Sequence, residues 1–246
     1  MFPIKSLPAG CFGNHINFNY KQSKEISRFN ISYRPKINIQ TVTMVKIMPE
    51  LKFVIPFYTE ERWQNWINKV KESGFKIDDE EKGAVFVYME DDVVLACLKI
   101  IAKYDKNLLS QEDALGHIAG VKEIVLKKIE PVTEDIDIML ESTQLSLMGV
   151  FASCECYIEK AFEKTGAFGK LIKGALKAEK EDNMGAAMGN IAEIGANILA
   201  GKKLKDKDLE DIPEGLVAEW LDGIDSISAA MVGDTSYKDD EPDEGN

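Results

Sequence analysis

Between Tyr58 and Met231 apolar residues recur every three or four positions, the spacing that gathers them on one face of an α-helix. The first stripe is Trp63, Trp66, Ile67 and Val70. Thr59 stands before it as an N-cap, and Glu60 and Glu61 place negative charge where the helix dipole favours it. Gly74 is positioned to end this helix. A second stripe runs from about Glu80 to Lys106 through Phe86, Met89, Val93, Cys97 and Ile101. Its opening, Ala84 to Tyr88, also fits a short strand. Ser110 with Asp113 resembles a capping box for a third helix, carried by Leu115, Ile118, Val121 and Val125 to Lys127 and Lys128.

Pro131 interrupts the chain, and Thr133 caps a long helix reaching about Lys164. Ile138, Leu145, Met148, Val150, Phe151 and Ala152 make it apolar on more than one side, as befits a helix surrounded by others. Residues 167–201 form a helical hairpin, with Asp182 and Asn183 as the turn. Its first helix sets Phe168, Leu171, Ile172 and Ala175 against a row of Lys170, Lys173, Lys177 and Lys180. The second carries Gly185, Gly189, Ala192, Ala196 and Ala200, a small-residue row along which another backbone can approach closely. Past Pro213 the last stripe is Val217, Trp220, Leu221, Ile224, Ile227 and Met231. The pattern predicts an all-α fold. One domain of six to eight helices, over residues 47–233, is expected to pack around a central helix at Ile138–Lys164.

Charge marks the ends of that domain. The chain of 246 residues has a net charge of −12, which makes nucleic acid a poor electrostatic partner. Residues 1–46 nevertheless carry seven basic side chains and one acid, leaving a net of −18 on the other 200. They have no helical period and are rich in Asn, Ile, Lys and Phe. A translated upstream region is the preferred reading, with Met44 or Met48 as the start. A disordered tail and a basic RNA-binding arm are the alternatives. Residues 234–246, dense in acid, are expected to form a disordered tail.

No stretch approaches the ~18–20 apolar residues of a membrane span, and the first twenty residues lack the apolar core of a secretory signal. Cys11, Cys97, Cys154 and Cys156 contain no CxxC pair and are expected to be free thiols in a cytoplasmic protein.

Neither a Walker loop, a GxGxxG turn nor a Gly-x-Ser-x-Gly elbow is present. With only His15 and His117, HExxH and the di-iron ExxH pattern are excluded, and His117 is expected to be a surface or half-buried residue. Carboxylates are the remaining chemistry. Glu179 with Asp182 and Glu219 with Asp222 each have Glu-x-x-Asp spacing, and two such pairs hold Mg²⁺ in helical pyrophosphohydrolases. In so acidic a chain the spacing also arises by chance, as Glu134 and Asp137 illustrate, and a solvated face is the preferred reading. Glu155 and Glu159 stand one turn apart in the apolar central helix, where solvent, Lys160 or Lys164, or a pocket would accommodate them.

The hairpin carries a different hint. Ala178, Asp182-Asn183-Met184, Ala187-Met188 and Ile194-Gly195-Ala196 resemble one tetratricopeptide-type helix pair. No second copy recurs at a fixed period, so an ordinary hairpin is preferred.

Four stretches resemble a family of uncharacterised euryarchaeal proteins over about residues 57–238. They are Phe57-Tyr58-Thr59-Glu60-Glu61-Arg62-Trp63, Asp91 to Lys99, Val150 to Tyr157 and Gly215 to Gly223. The resemblance implies an archaeal protein and brings no activity or catalytic residues. The leading functional expectation is a non-enzymatic interaction or regulatory subunit without a cofactor. Its partner would be another protein or a second copy of itself, held through Lys170, Lys173, Lys177, Gly185 and Gly189. The alternatives are a Mg²⁺-dependent phosphohydrolase using Glu179, Asp182, Glu219 and Asp222, and RNA binding by residues 1–46.

Overall fold

A computed structural model describes residues 56–77, 79–165, 167–209 and 211–232. Among them are eight helices and no strand. They are α1 (Glu60–Ser73), α2 (Glu80–Asp105), α3 (Gln111–Val125), α4 (Glu134–Glu159), α5 (Gly169–Lys180), α6 (Met184–Leu199), α7 (Asp206–Leu209) and α8 (Leu216–Val232). The strand alternative at Ala84–Tyr88 is overturned, since these residues belong to α2. Phe86 and Met89 there face the core three residues apart, a helical and not an alternating pattern. Both tails, residues 1–46 and 234–246, lie outside the described residues.

Side-chain capping sets several helix starts. Thr59, Ser110, Thr133 and Asn183 each accept a hydrogen bond from the backbone N–H three residues on. Gly74 closes α1 in the left-handed conformation, at φ 60°. The central helix ends at Glu159, earlier than the apolar pattern suggested, because Lys160 takes the same left-handed conformation at φ 56°.

The expected centre is the observed one. α4 packs against α2, α3, α6 and α8, and buries Leu147, Val150, Phe151, Cys154 and Ile158 among them. Such contact needs a narrow helix surface, which α4 supplies with Ser146, Gly149 and Ser153. A β-carbon on Gly149 would stand 2.6 Å from the Trp220 carbonyl oxygen of α8. One on Gly223 of α8 would strike the Ser146 carbonyl, and one on Gly195 of α6 would strike the Ser153 side chain. Gly185 and Gly189 play no such part among the described residues: both are exposed, and a β-carbon on Gly189 would meet none of them within 4 Å. Cys97 of α2 and Cys154 of α4 are both buried and their thiols are in contact.

Candidate functional site

Two regions collect the polar chemistry of the helical domain. The first is a carboxylate seam where α2, α4 and α8 meet. Glu90 of α2 is the most enclosed member, and its Oε1 accepts hydrogen bonds from Ser146 Oγ of α4 (2.7 Å) and Ser226 Oγ of α8 (2.8 Å). One turn away on α4, Ser142 Oγ donates to Glu219 Oε2 at 2.6 Å. Two serines of one helix therefore hold carboxylates from two different neighbours.

Burial, and after it the proximity of like charges, raises the affinity of the seam for protons. Burial pushes the Glu90 carboxyl upward against the opposing hydrogen bonds of Ser146 and Ser226, and the charges of Asp91 and Glu219 add to it. Glu219 is raised by burial, with Ser142 opposing. Glu141 is raised by burial and by the charge of Glu219. Burial, followed by the charges of Glu219, Glu90 and Asp225, pushes the Asp222 carboxyl up to about 7. Asp222 nonetheless keeps an exposed flank, so its carboxyl lies at the rim of the seam and not in its interior.

The paired carboxylates singled out by spacing are thus split. Glu219 and Asp222 share the seam with Glu90 and Glu141. Glu179 is elsewhere: its Oε1 accepts from the Val217 backbone N–H at 3.0 Å, so it caps the start of α8. Gly215 leaves room for it, as a β-carbon there would stand 2.7 Å from that same oxygen. Asp182 is exposed in the left-handed turn between α5 and α6, at φ 56°. Among the described residues no group of three or more Asp, Glu, His or Cys side chains is arranged to hold a metal ion. Glu155 pairs with Lys122 of α3 at 2.9 Å, in place of Lys160 or Lys164, and Glu159 is exposed. His117 is half-buried with its ring edge-on to Phe57.

Glu90 was not among the sequence candidates, although an acid between Met89 and Val93 on an apolar stripe was a visible signal. Asp92 also passed unnoticed. It accepts from Tyr58 Oη (3.2 Å), Trp66 Nε1 (2.7 Å) and Arg62 Nε (2.8 Å), and pairs with the Arg62 guanidinium, clamping α1 onto α2. Arg62 and Trp66 lie one turn apart on α1 and Tyr58 just before its N-cap, so one carboxylate reaches all three. Burial, then the charge and hydrogen bond of Asp92, push the Tyr58 phenol well above its usual range.

The second region is the outer face of the α5–α6 hairpin. Lys170, Lys173 and Lys177 are exposed along one side of α5. Lys177 is 3.8 Å from Glu181; Lys170 and Lys173 have no ion-pair partner among the described residues. Gly174, on the same side, brings α6 close: a β-carbon there would stand 2.9 Å from Asn190 Oδ1. The lysines consequently border the solvent-open stretch of α6 that includes Gly185, Ala186 and Gly189.

No helix among the described residues is long and apolar enough to cross a membrane. No curated protein and no solved structure matches the chain. A family model described as "Uncharacterized protein conserved in archaea (DUF2150)" matches residues 56–240, spanning all eight helices and leaving out residues 1–46. The chain belongs to that archaeal family.

Proposed function

We propose that the protein is a non-catalytic interaction or regulatory subunit of the cytoplasm, which docks an acidic segment of a partner protein on the outer face of the α5–α6 hairpin. The observation that carries this reading is the row Lys170, Lys173 and Lys177, exposed and little paired in a chain of net charge −12. Other charges of the domain have structural partners: Glu179 caps α8, Lys122 meets Glu155 and Asp92 clamps α1. Gly185, Ala186 and Gly189 keep the adjoining surface of α6 low, so a peptide backbone can lie against it.

Native mass spectrometry of the protein purified gently from its host tests this. A stoichiometric partner is expected, lost when Lys170, Lys173 and Lys177 are all changed to Glu. A complex indifferent to that change, or the bare monomer, would remove the hairpin from the reading, and a homodimer sensitive to it would make a second copy the occupant.

The phosphohydrolase alternative needs Glu179, Asp182, Glu219 and Asp222 around one Mg²⁺, and it is the weaker reading because Glu179 caps α8 while Glu219 is held by Ser142 of α4. Calorimetric titration with Mg²⁺ separates it from the first reading: saturable one-to-one binding abolished by Asp222→Asn would favour it.

A further inference from the structure

We propose that the docking face continues past Lys170 onto Lys164 and Lys202, so that its partner presents a long run of acids and not a short acidic motif; this deepens the docking reading above and rests on it. Asn197 of α6 is fully enclosed, and its side chain ties down the loop before α5. Its Oδ1 accepts from the Thr165 N–H at 2.8 Å, and its Nδ2 donates to the Glu163 carbonyl at 3.0 Å. Glu193, one turn earlier, holds the same loop by accepting from the Glu163 N–H at 3.2 Å. Lys164 is exposed between these two anchored residues. Glu193 and Asn197 follow Asn190 by three and seven residues, on one line of α6. Asn190 is the side chain that Gly174 of α5 meets, so the anchored loop lies on the side of the hairpin that carries Lys170, Lys173 and Lys177. Asn197 also positions Lys202. Its backbone carbonyl accepts from the Lys202 N–H at 3.0 Å, while Gly201, at φ 85°, turns the chain back over the end of α6.

Charge and chemistry fit one kind of occupant. Lys164 and Lys202 are exposed and, like Lys170 and Lys173, have no ion-pair partner among the described residues. The nearby acids are partly engaged: Glu193 is turned to the loop and Glu181 stands beside Lys177, although Glu163 is exposed next to Lys164. At ~1.5 Å of rise per helical residue, the track from Lys177 to the level of Asn197 is about 15 Å long, against about 10 Å for the α5 row alone. Lysine supplies all of its positive charge. No arginine fork is present for bidentate phosphate contact, and no exposed aromatic ring for base stacking, among the described residues of the face. A chain of net charge −12 also repels a long nucleic acid more than a short acidic stretch of protein. Carboxylates of a partner protein are therefore the matching ligand, and several must bind at once because exposed ion pairs are individually weak.

Synthetic oligoglutamates titrated into the whole chain at low salt, with binding read from NMR shifts, test the extension. Eight extended glutamates reach about 26 Å and four about 13 Å, enough for the whole track and for the α5 row alone. The longer peptide should bind several-fold more tightly, because each added exposed ion pair contributes a factor of a few. Changing Lys164 and Lys202 together to Gln should remove that advantage and leave the shorter peptide unaffected. Both side chains are exposed, so the variant should melt at the temperature of the unaltered chain. Equal affinity of the two peptides, or an advantage that survives the double change, would overturn the extension. The docking reading then stands alone if changing Lys170, Lys173 and Lys177 to Gln abolishes binding. Peptides that do not bind, or bind regardless of both sets of substitutions, would reject the two ideas together. An octauridylate bound more tightly than the longer peptide through the same lysines would make nucleic acid the occupant and likewise overturn the proposal.

Discussion

A β-carbon on Gly223 would strike the backbone carbonyl of Ser146, so α4 and α8 meet there main chain to main chain. Gly149 repeats the arrangement in reverse, against the carbonyl of Trp220. This close crossing brings the Ser142 hydroxyl within reach of Glu219, and lets Ser146 of α4 and Ser226 of α8 converge on Glu90 of α2.

Gly223→Ala is accordingly expected to destabilise the protein by about 2–3 kcal/mol, because a methyl group must push two helices apart. Gly189→Ala should do the reverse by about 0.5–1 kcal/mol, since its site is open and Ala is the better helix former. Urea unfolding of both variants measures the contrast. Equal effects would mean that the α4–α8 approach is not the tight one.

Asp92→Ala should cost about 2 kcal/mol, leaving the Tyr58 hydroxyl and the Trp66 indole N–H without their shared acceptor. Loosening should start at α1, so hydrogen exchange over Glu60–Ser73 should accelerate more than over α4.

The seam reverses the usual response of carboxylates to acid. A carboxyl whose folded-state pKa is raised holds its proton more tightly in the folded protein. Its stabilising effect is complete below the unfolded value and is lost as pH rises through the folded one. For Asp222 that window runs from 3.8 to about 7. Between pH 5 and 8 stability should therefore fall, and Asp222→Asn should flatten the slope. The gain for the variant at pH 8 is expected to be roughly 1 kcal/mol, allowing for screening at its exposed flank. Thermal unfolding across that pH range decides it, and an unchanged slope would count against the seam.

Under native conditions a thiol reagent should modify Cys156 before Cys97 or Cys154. Cys156 is half-buried, its thiol pushed up to about 11 chiefly by burial, whereas the other two are enclosed between α2 and α4. Peptide mapping after brief and long labelling would show the order, with Cys97 and Cys154 reacting only as the protein unfolds.

Helices and their starts were legible in the sequence, because both are local. Thr59, Ser110 and Thr133 cap backbone groups three residues away, and apolar spacing marks the buried face whatever packs on it. The central position of α4 followed from its apolar surface on several sides. The all-α class and the central helix were thus determined by sequence alone. Which glycines bring helices together was decided by tertiary structure: the sequence put Gly189 in the close-packing row, yet it is Gly195 that Ser153 and Ile224 crowd. Partnership among carboxylates was decided there too. Glu179 and Glu219 share a spacing motif, yet one meets an amide at the start of α8 and the other a serine of α4. Spacing along a helix sets which face a carboxylate occupies, but its chemistry comes from residues far away in the chain that the fold sets opposite that face.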